Sequence, residues 1–348
     1  MTLKITRRGL GATALGASLA APPRIAFAKD KLTVVMSSFD MLFWVTLSAQ
    51  ALGFFAEQDL EVELVRAGGG ARSLAAVAGG DAHFNVGAPA SAFRARARGA
   101  DVMMIAPAVV QYVDNITMSG DWARRQGITP QSSYEDRLRA LRGMTIAVSS
   151  VGGGADQLVR FLCRQAGINP DRELTITAIP DGQNMLAAMT RGRVDGFVIP
   201  PPTGEDAIRN HGAQPLIWAG RGEVPQLDGF VYIGVIARES WLRNNRDITV
   251  RFLRAQQRGM QAVHHPEESL RARDAVRNGW HPRTEKGLFD EVWNNGVPAY
   301  PRSVEVQASM IERIAGFVNE TQPEPLDAEA TRAAWTNEYA AEALARRS

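Results

Sequence analysis

Apolar positions in the first third of the chain switch repeatedly between the period of a strand and the period of a helix. Residues 32–37 have the apolar run of a buried strand, and 61–65 alternate as a half-buried strand does. The segment 42–52 between them has the spacing of an amphipathic helix. Later members of the series are predicted at 71–78 (helix), 83–87 (strand), 90–98 (helix) and 102–106 (strand). Strands alternating with helices in this order indicate a parallel α/β sheet.

This series is interrupted and then restarts. A lone strand is predicted at 112–118, followed by a polar, turn-rich stretch at 119–133. We interpret that stretch as the crossover into a second α/β unit. The second series comprises helices predicted at 134–141, 155–166, 184–190 and 204–210 and strands predicted at 145–149, 174–179, 194–199 and 215–218.

The apolar segment 230–237 is predicted to be the return crossing, and almost everything after it is helical. Helices are predicted at 249–264, 267–278, 285–293, 304–318 and 328–345. A helical tail that folds back on the first lobe would cover its sheet.

The length of the chain, 348 residues, also favours two lobes. A single hydrophobic core stops growing at roughly 250–300 residues. We therefore predict an α/β protein with two lobes, parallel-rich sheets flanked by helices, two hinge crossings and a helical C-terminal tail. The first lobe is expected to comprise 29–112 and 232–348, and the second lobe 113–231.

Residues 1–28 have the features of an export signal. Lys4, Arg7 and Arg8 precede a short apolar run, and Ala26 and Ala28 are small residues at the positions that a signal peptidase selects. The twin arginines resemble a Tat signal, with an ordinary Sec signal as the alternative. We expect cleavage near Ala28 and a periplasmic mature protein.

Removal of that signal changes the net charge. The whole chain has 39 basic and 37 acidic residues, a net charge of +2. The signal contains four basic residues and no acid, which leaves 35 against 37, a net charge of −2. Nothing in this balance indicates a nucleic acid or an anionic membrane surface as a partner.

Catalytic motifs are weak in this chain. Cys163 is the single cysteine, and its helical spacing with Val159 and Leu162 predicts a buried packing residue. No two histidines have i, i+4 spacing, and neither a nucleophile elbow nor a P-loop occurs. We therefore expect a protein that is not an enzyme and that uses neither a cofactor nor a metal.

Six short segments carry a family resemblance through their order and spacing: 51–57 (ALGFFAE), 60–64 (LEVEL), 78–84 (AGGDAHF), 98–102 (RGADV), 141–148 (LRGMTIAV) and 189–196 (MTRGRVDG). Through these segments, and over roughly residues 31 to 240, the chain resembles the periplasmic substrate-binding proteins of ABC importers, in the nitrate, taurine and aliphatic-sulfonate group. Close relatives of that group bind thiamine-pyrimidine precursors. The resemblance implies a type II periplasmic-binding-protein fold, usually monomeric, whose hinged lobes close on a small-molecule solute and deliver it to the membrane subunits of an ABC permease.

The candidate ligand-binding residues follow from the sheets themselves. In open parallel sheets, ligands bind beyond the carboxyl ends of the strands. In the first lobe this rule selects Ser37, Ser38, Phe39, Asp40, Trp44, Gly69, Gly87, Ala88 and Ser91. In the second lobe it selects Ser149, Ser150, Gly153, Gly154, Asp181, Pro201 and Thr203.

Two of these loops suit an anion. Glycine-rich segments at 68–70 and 149–154 precede predicted helices, where free backbone N–H groups and the helix dipole attract negative charge. The alternative is that both are only tight connections. Truncating Ser149 and Ser150 together is predicted to weaken ligand binding.

The first loop has a different character. Phe39 lies outside the predicted helix and is the better candidate for contact with a planar ligand, whereas Phe43 has the apolar spacing of a core residue. Trp44 is a contact candidate or a second core residue. Asp40 either accepts hydrogen bonds from the ligand or caps the helix that begins at Met41 or Leu42.

The sequence thus predicts a solute-binding component of an ABC importer, with a sulfonate-like or other small anion, or a pyrimidine, as its ligand. Arg72 is the only lysine or arginine in the predicted core contact loops, which disfavours a multiply charged anion. The alternatives are an exported enzyme similar to a pyrimidine-precursor synthase and a binding protein that serves a chemoreceptor or sensor kinase.

Overall fold

The computed structural model describes residues 29–227, 229–321 and 325–345. The predicted export signal at 1–28 lies outside the described residues. Two five-stranded sheets organise the rest, and we call each sheet with its flanking helices a lobe. Among the helices of the described residues, none has both the length and the apolar character needed to cross a membrane.

The first sheet is built almost entirely from the start of the chain. Its strands are β1 (Asp30–Met36), β2 (Leu60–Arg66), β3 (Phe84–Gly87), β4 (Met103–Val109) and, from much later, β10 (Ile233–Ala237). Their order across the sheet is β2-β1-β3-β10-β4. β1 pairs in parallel with β2 and β3, whereas β10 runs antiparallel to both β3 and β4.

The second sheet repeats this arrangement. Its strands are β5 (Asn115–Met118), β6 (Thr145–Val148), β7 (Thr175–Ala178), β8 (Gly196–Ile199) and β9 (Gln214–Trp218), in the order β7-β6-β8-β5-β9. β5 is antiparallel to both neighbours, β8 and β9. The antiparallel strand is β10 in the first sheet and β5 in the second, and the other four strands of each sheet run parallel to one another. Both β5 and β10 follow a segment that joins the two lobes. The predicted fold class, two mixed but parallel-rich α/β lobes, is confirmed.

Helices cover both sheets. In the first lobe these are α1 (Trp44–Ala51), α2 (Gly70–Gly79) and α3 (Pro89–Ala97), with a short 3-10 turn at Met41–Phe43 before α1. In the second lobe they are α4 (Gly120–Gln126), α5 (Tyr134–Arg139), α6 (Gly154–Gln165), α7 (Gly182–Thr190) and α8 (Thr203–His211). The tail consists of α9 (Glu239–Asn244), α10 (Arg246–His264), α11 (Pro266–Trp280), α12 (Lys286–Gly296), α13 (Ala308–Thr321), α14 (Ala328–Ala333) and α15 (Glu338–Leu344).

Two of the predicted elements are wrong. The stretch 119–133 is not the crossover, because it follows β5 of the second sheet and contains α4, which Ser119 caps by accepting from the N–H of Trp122 (3.1 Å). The single helix predicted at 328–345 is two helices, separated where Trp335 bridges to Met104 of the first sheet.

The tail covers the first lobe, as predicted, and also reaches the second. Helix α10 packs so closely on α1 that a Cβ on Gly259 would lie 2.6 Å from the carbonyl oxygen of Val45. Farther along, Phe317 of α13 packs on Phe161 of α6 (ring centroids 5.5 Å apart). The tail therefore contacts both lobes.

The Phe54-Phe55 pair belongs to the core of the first lobe. Phe55 is 2% exposed and stacks on Phe252 of α10 (5.3 Å), which in turn stacks on Phe84 of β3 (4.1 Å). Burial of three aromatic rings in one stack stabilises the docking of the tail on the sheet.

Candidate functional site

A cavity of about 230 Å³ lies between the two lobes, beyond the carboxyl ends of the parallel strands. From the first lobe, six of the predicted site residues line it: Ser37, Ser38, Phe39, Asp40, Gly87 and Ala88. From the second lobe, four of them do: Ser149, Gly154, Asp181 and Thr203. The loops after β1, β3, β6, β7 and β8 thus meet around one space.

The other predicted residues lie elsewhere. Trp44 is fully buried in the first lobe and stacks on Trp293 of the tail (4.9 Å). Pro201 lines a separate cavity of about 70 Å³ together with Glu205. The remaining four, Gly69, Ser91, Ser150 and Gly153, lie where the two lobes touch.

The lobes contact each other directly through these glycine-rich loops. Ser150 Oγ accepts from the N–H of Ala71 across the cleft (3.4 Å). Ser91 Oγ donates to the carbonyl oxygen of Gly152 (3.2 Å) and accepts from Gln157 Nε2 (2.8 Å). Part of the polar capacity of the loops at 68–70 and 149–154 therefore serves lobe-to-lobe contact.

A larger groove of about 580 Å³ lies at the same junction, lined by Arg94, Arg160 and Val151. Val151 is 55% exposed, and the groove is more open than the inner cavity. We place the candidate site in the inner cavity, because buried polar side chains and the strand ends converge there.

Asp40 caps the helix after β1 and also lines the cavity. Its carboxylate accepts from the N–H of Leu42 (3.1 Å) and from the hydroxyl of Ser38. Burial raises the pKa of Asp40 to about 7, against the lowering effect of those two hydrogen bonds. Of the two predicted roles, the helix cap is present, and it leaves the carboxyl in the cavity wall.

A second buried carboxyl, Asp114, lies in the segment that enters the second lobe. Its Oδ2 accepts from the hydroxyl of Tyr232, on the return segment, whereas its Oδ1 is buried without a hydrogen-bond partner among the described residues. Burial raises the pKa of Asp114 to about 7; the hydrogen bond from Tyr232 lowers it and the nearby charge of Asp40 raises it. Both crossing segments therefore contribute to the cavity.

Aromatic side chains from the tail complete the wall. Trp280 meets Phe39 edge-to-face, with ring centroids 6.2 Å apart. The neighbouring His281 donates from Nε2 to the carbonyl oxygen of Phe39 (2.7 Å), and burial lowers the pKa of its imidazole. The tail thus fixes the first loop against the cavity.

Sequence reasoning missed other lining residues, among them Arg66, Asp114, Tyr232, Trp280 and His281. Asp114 had a detectable signal, since an acid directly before a buried strand is unusual and is seldom left unpaired. Arg66 ends β2 and so satisfies the strand-end rule already used for its neighbours. Trp280 and His281 carried no local signal, because their place in the site depends on how the tail folds back.

Neither a reactive thiol nor a cluster of metal ligands occurs among the described residues. Cys163 is fully buried, as predicted, and burial raises the pKa of its thiol to about 12, which keeps it protonated. Among the described residues, no three His, Cys, Asp or Glu side chains gather closely enough to hold a metal ion.

The fold is similar to several solved structures. A protein from Bordetella bronchiseptica RB50 is 16% identical with a TM-score of 0.78, over 91% of this chain and 97% of that one. The alkanesulfonate-binding protein SsuA from Xanthomonas axonopodis pv. citri, bound to MOPS, is 14% identical with a TM-score of 0.67, over 91% and 99%. The desulfurization enzyme DSZB is 13% identical with a TM-score of 0.61, over 91% and 99%. At such identities the likeness is one of fold, and this fold carries both binding and catalysis.

No curated protein matches the sequence significantly. A family model, described as NMT1/THI5 like, matches residues 43–269. That segment runs from α1 through the second lobe to α11 and includes both crossings. The resemblance drawn from the sequence is confirmed: the chain belongs to the NMT1/THI5-like family.

Proposed function

We propose that this protein is the extracytoplasmic solute-binding component of an ABC importer, which captures a small organic solute between its lobes and delivers it to the membrane permease. The observation that carries the proposal is the cavity of about 230 Å³ whose wall comes from both lobes. A ligand held there would contact both lobes at once and would stabilise their closed arrangement.

Closure requires a hinge, and we assign it to the two segments that join the sheets, 110–114 and 219–232. The lobe boundaries are then 29–112 with 232–348, and 113–231. We also propose that residues 1–28 export the chain to the periplasm and that it acts as a monomer.

Binding rather than catalysis is supported by how the cavity's polar groups are used. Asp40 and Asp181 both cap helices, Asp181 by accepting from the N–H of Asn184 (2.9 Å). These hydrogen bonds commit both carboxyls to holding the loops around the space that a solute would occupy.

A panel of candidate solutes tests the proposal on the mature protein: sulfonates, nitrate, bicarbonate, aromatic acids, pyrimidines and small amidines. A true ligand at 100 times its Kd is expected to raise the free energy of unfolding by about 2.7 kcal/mol and therefore the melting temperature. Small-angle scattering on the same samples is expected to show a smaller radius of gyration with ligand.

The two readouts separate two failures. A ligand that raises the melting temperature and leaves the radius unchanged would contradict hinge closure. A panel in which no compound raises the melting temperature would contradict solute binding itself.

A further inference from the structure

The buried wall of the cavity is acidic. Among the described residues that line it, three are carboxylic acids, Asp40, Asp114 and Asp181, and one is an arginine, Arg66. Arg66 is exposed to solvent, where water and salt screen its charge. Asp40 and Asp114 are only 9% and 1% exposed.

The three carboxyls differ in whether they have an oxygen left to accept a hydrogen bond from a ligand. Asp40 accepts from Ser38 and Leu42, and the two oxygens of Asp181 accept from the backbone and side-chain nitrogens of Asn184 (2.9 and 2.6 Å). Asp114 uses only Oδ2, and its Oδ1 is a buried acceptor without a partner among the described residues. An acceptor in that condition is unfavourable until a donor reaches it.

Both lobes hold Asp114 in position. Its partner Tyr232 stacks on Tyr112 (3.8 Å), and the hydroxyl of Tyr112 donates to the carbonyl oxygen of Gly154 at the start of α6 (2.6 Å). A Cβ on Gly154 would lie 2.6 Å from the ring of Tyr232, so the contact admits only glycine. An acceptor held this rigidly loses little freedom when a ligand binds.

The glycine-rich loop at 149–154, which the sequence suggested for an anion, already uses two of its backbone N–H groups in local hydrogen bonds. The N–H of Gly152 donates to Asp156 Oδ2 (2.8 Å), and the N–H of Gly153 donates to the carbonyl oxygen of Ser150 (3.2 Å). These N–H groups are therefore engaged inside the loop, while an anion in the cavity would face two buried carboxyls.

We infer that the cavity selects a solute that presents a protonated amine or amidine-type nitrogen, which donates to Asp114 Oδ1 while Asp40 supplies a second favourable charge. The inference rests on the proposed solute-binding function and names the ligand class of that site. Phe39 and Trp280, edge-to-face at 6.2 Å, form an apolar wall suited to a flat body that carries the nitrogen.

Benzamidinium and benzoate form a matched pair of probes, because they share shape and size and carry opposite charge. Calorimetric titration of the full mature protein at pH 8, where carboxyls with a pKa of about 7 are ionised, is expected to show benzamidinium binding at least about tenfold more tightly than benzoate, the scale of one charge-assisted hydrogen bond. Asp114→Asn is expected to remove most of that preference. Asp81→Asn, at an exposed turn, should preserve it.

Each outcome bears on a defined claim. Benzoate binding as tightly as benzamidinium to the wild type would overturn the inference, whether or not Asp114→Asn folds. If benzoate also lowered the radius of gyration in scattering experiments, the proposed solute-binding function would stand and only the cationic ligand class would be overturned. Equal loss of both probes in Asp114→Asn would assign Asp114 a purely structural role. If neither probe nor any compound of the solute panel bound, both the proposed function and this inference would fail.

Discussion

Asp114→Asn is expected to weaken the pH dependence of the free energy of unfolding. Between pH 5 and pH 8 that free energy should fall by about 2 to 3 kcal/mol less in the variant than in the wild type. Burial raises the pKa of the folded-state carboxyl from 3.8 to about 7. The folded protein therefore retains a proton that the unfolded chain has already released. For such a group, the free energy of unfolding falls as pH rises from about 4 and levels off above about 7.

The groups that face Asp114 shift its pKa in opposite directions. The hydroxyl of Tyr232 donates to it and favours the charged form, whereas the charge of Asp40 disfavours it. Burial keeps the pKa of Tyr112 and Tyr232 well above 10, so both phenols stay neutral over this range. The pKa of Asp40 is also raised to about 7, so the variant retains part of the pH dependence.

Urea unfolding at pH 5, 6, 7 and 8 measures the effect, with Asp81→Asn as a matched control that removes an exposed carboxylate. The control curve should run parallel to that of the wild type, whereas the curve of Asp114→Asn should diverge upward as pH rises. Parallel curves for all three proteins would show that the Asp114 carboxyl ionises in the folded protein as it does in the unfolded chain.

Much of the fold was predictable because its information is local. The alternation of strand and helix periods predicted nine of the ten strands, with ends displaced by a few residues, and the tenth, β10, lies in the segment predicted as the return crossing. The errors came where tertiary contacts override local pattern. Helix α4 is short and largely polar, with Trp122 and Ala123 as its buried residues, so its period was too weak to detect. The last predicted helix is interrupted because the carbonyl oxygen of Ala334 and the N–H of Thr336 bond to the backbone of Met104 in β4 (2.9 and 3.0 Å).

The site was predictable only as far as the strand-end rule extends. That rule places the loops after β1, β3, β6, β7 and β8 on the cavity wall. It says nothing of His281, whose bond to Phe39 joins residues 242 apart in sequence. Nor does it reveal that Asp114 and Tyr232, on separate crossings, share one hydrogen bond. Two carboxyls of the acidic wall, Asp40 and Asp181, followed from the strand-end rule, whereas Asp114 and its unpartnered oxygen could be read only from the folded chain.

Gly69→Ala is expected to weaken ligand binding by roughly 5- to 100-fold, the cost of about 1 to 3 kcal/mol for a small overpacking. A Cβ at position 69 would lie 2.9 Å from Cβ of Ser150 and 3.2 Å from the carbonyl oxygen of Ser149, both in the opposite lobe. The backbone itself accepts alanine, because Gly69 has an extended φ of 161°. The clash therefore arises only when the lobes meet, and the free energy of unfolding of the ligand-free protein should change by less than about 0.5 kcal/mol.

Gly70→Ala is the matched control, since it adds the same atom at the next residue, which begins α2 and also lines the cavity. There the Cβ would meet its nearest neighbour, the Cα of Gly153, at an ordinary 3.8 Å. Adding Ser150→Gly to Gly69→Ala removes the atom that clashes and should restore most of the lost affinity, which a double-mutant cycle measures. If both alanine variants bound equally well, contact between Gly69 and Ser150 would not belong to the bound state. Because the clash grows as the lobes approach, Gly69→Ala should also show a larger radius of gyration than the wild type at saturating ligand. That would link the affinity loss to closure itself.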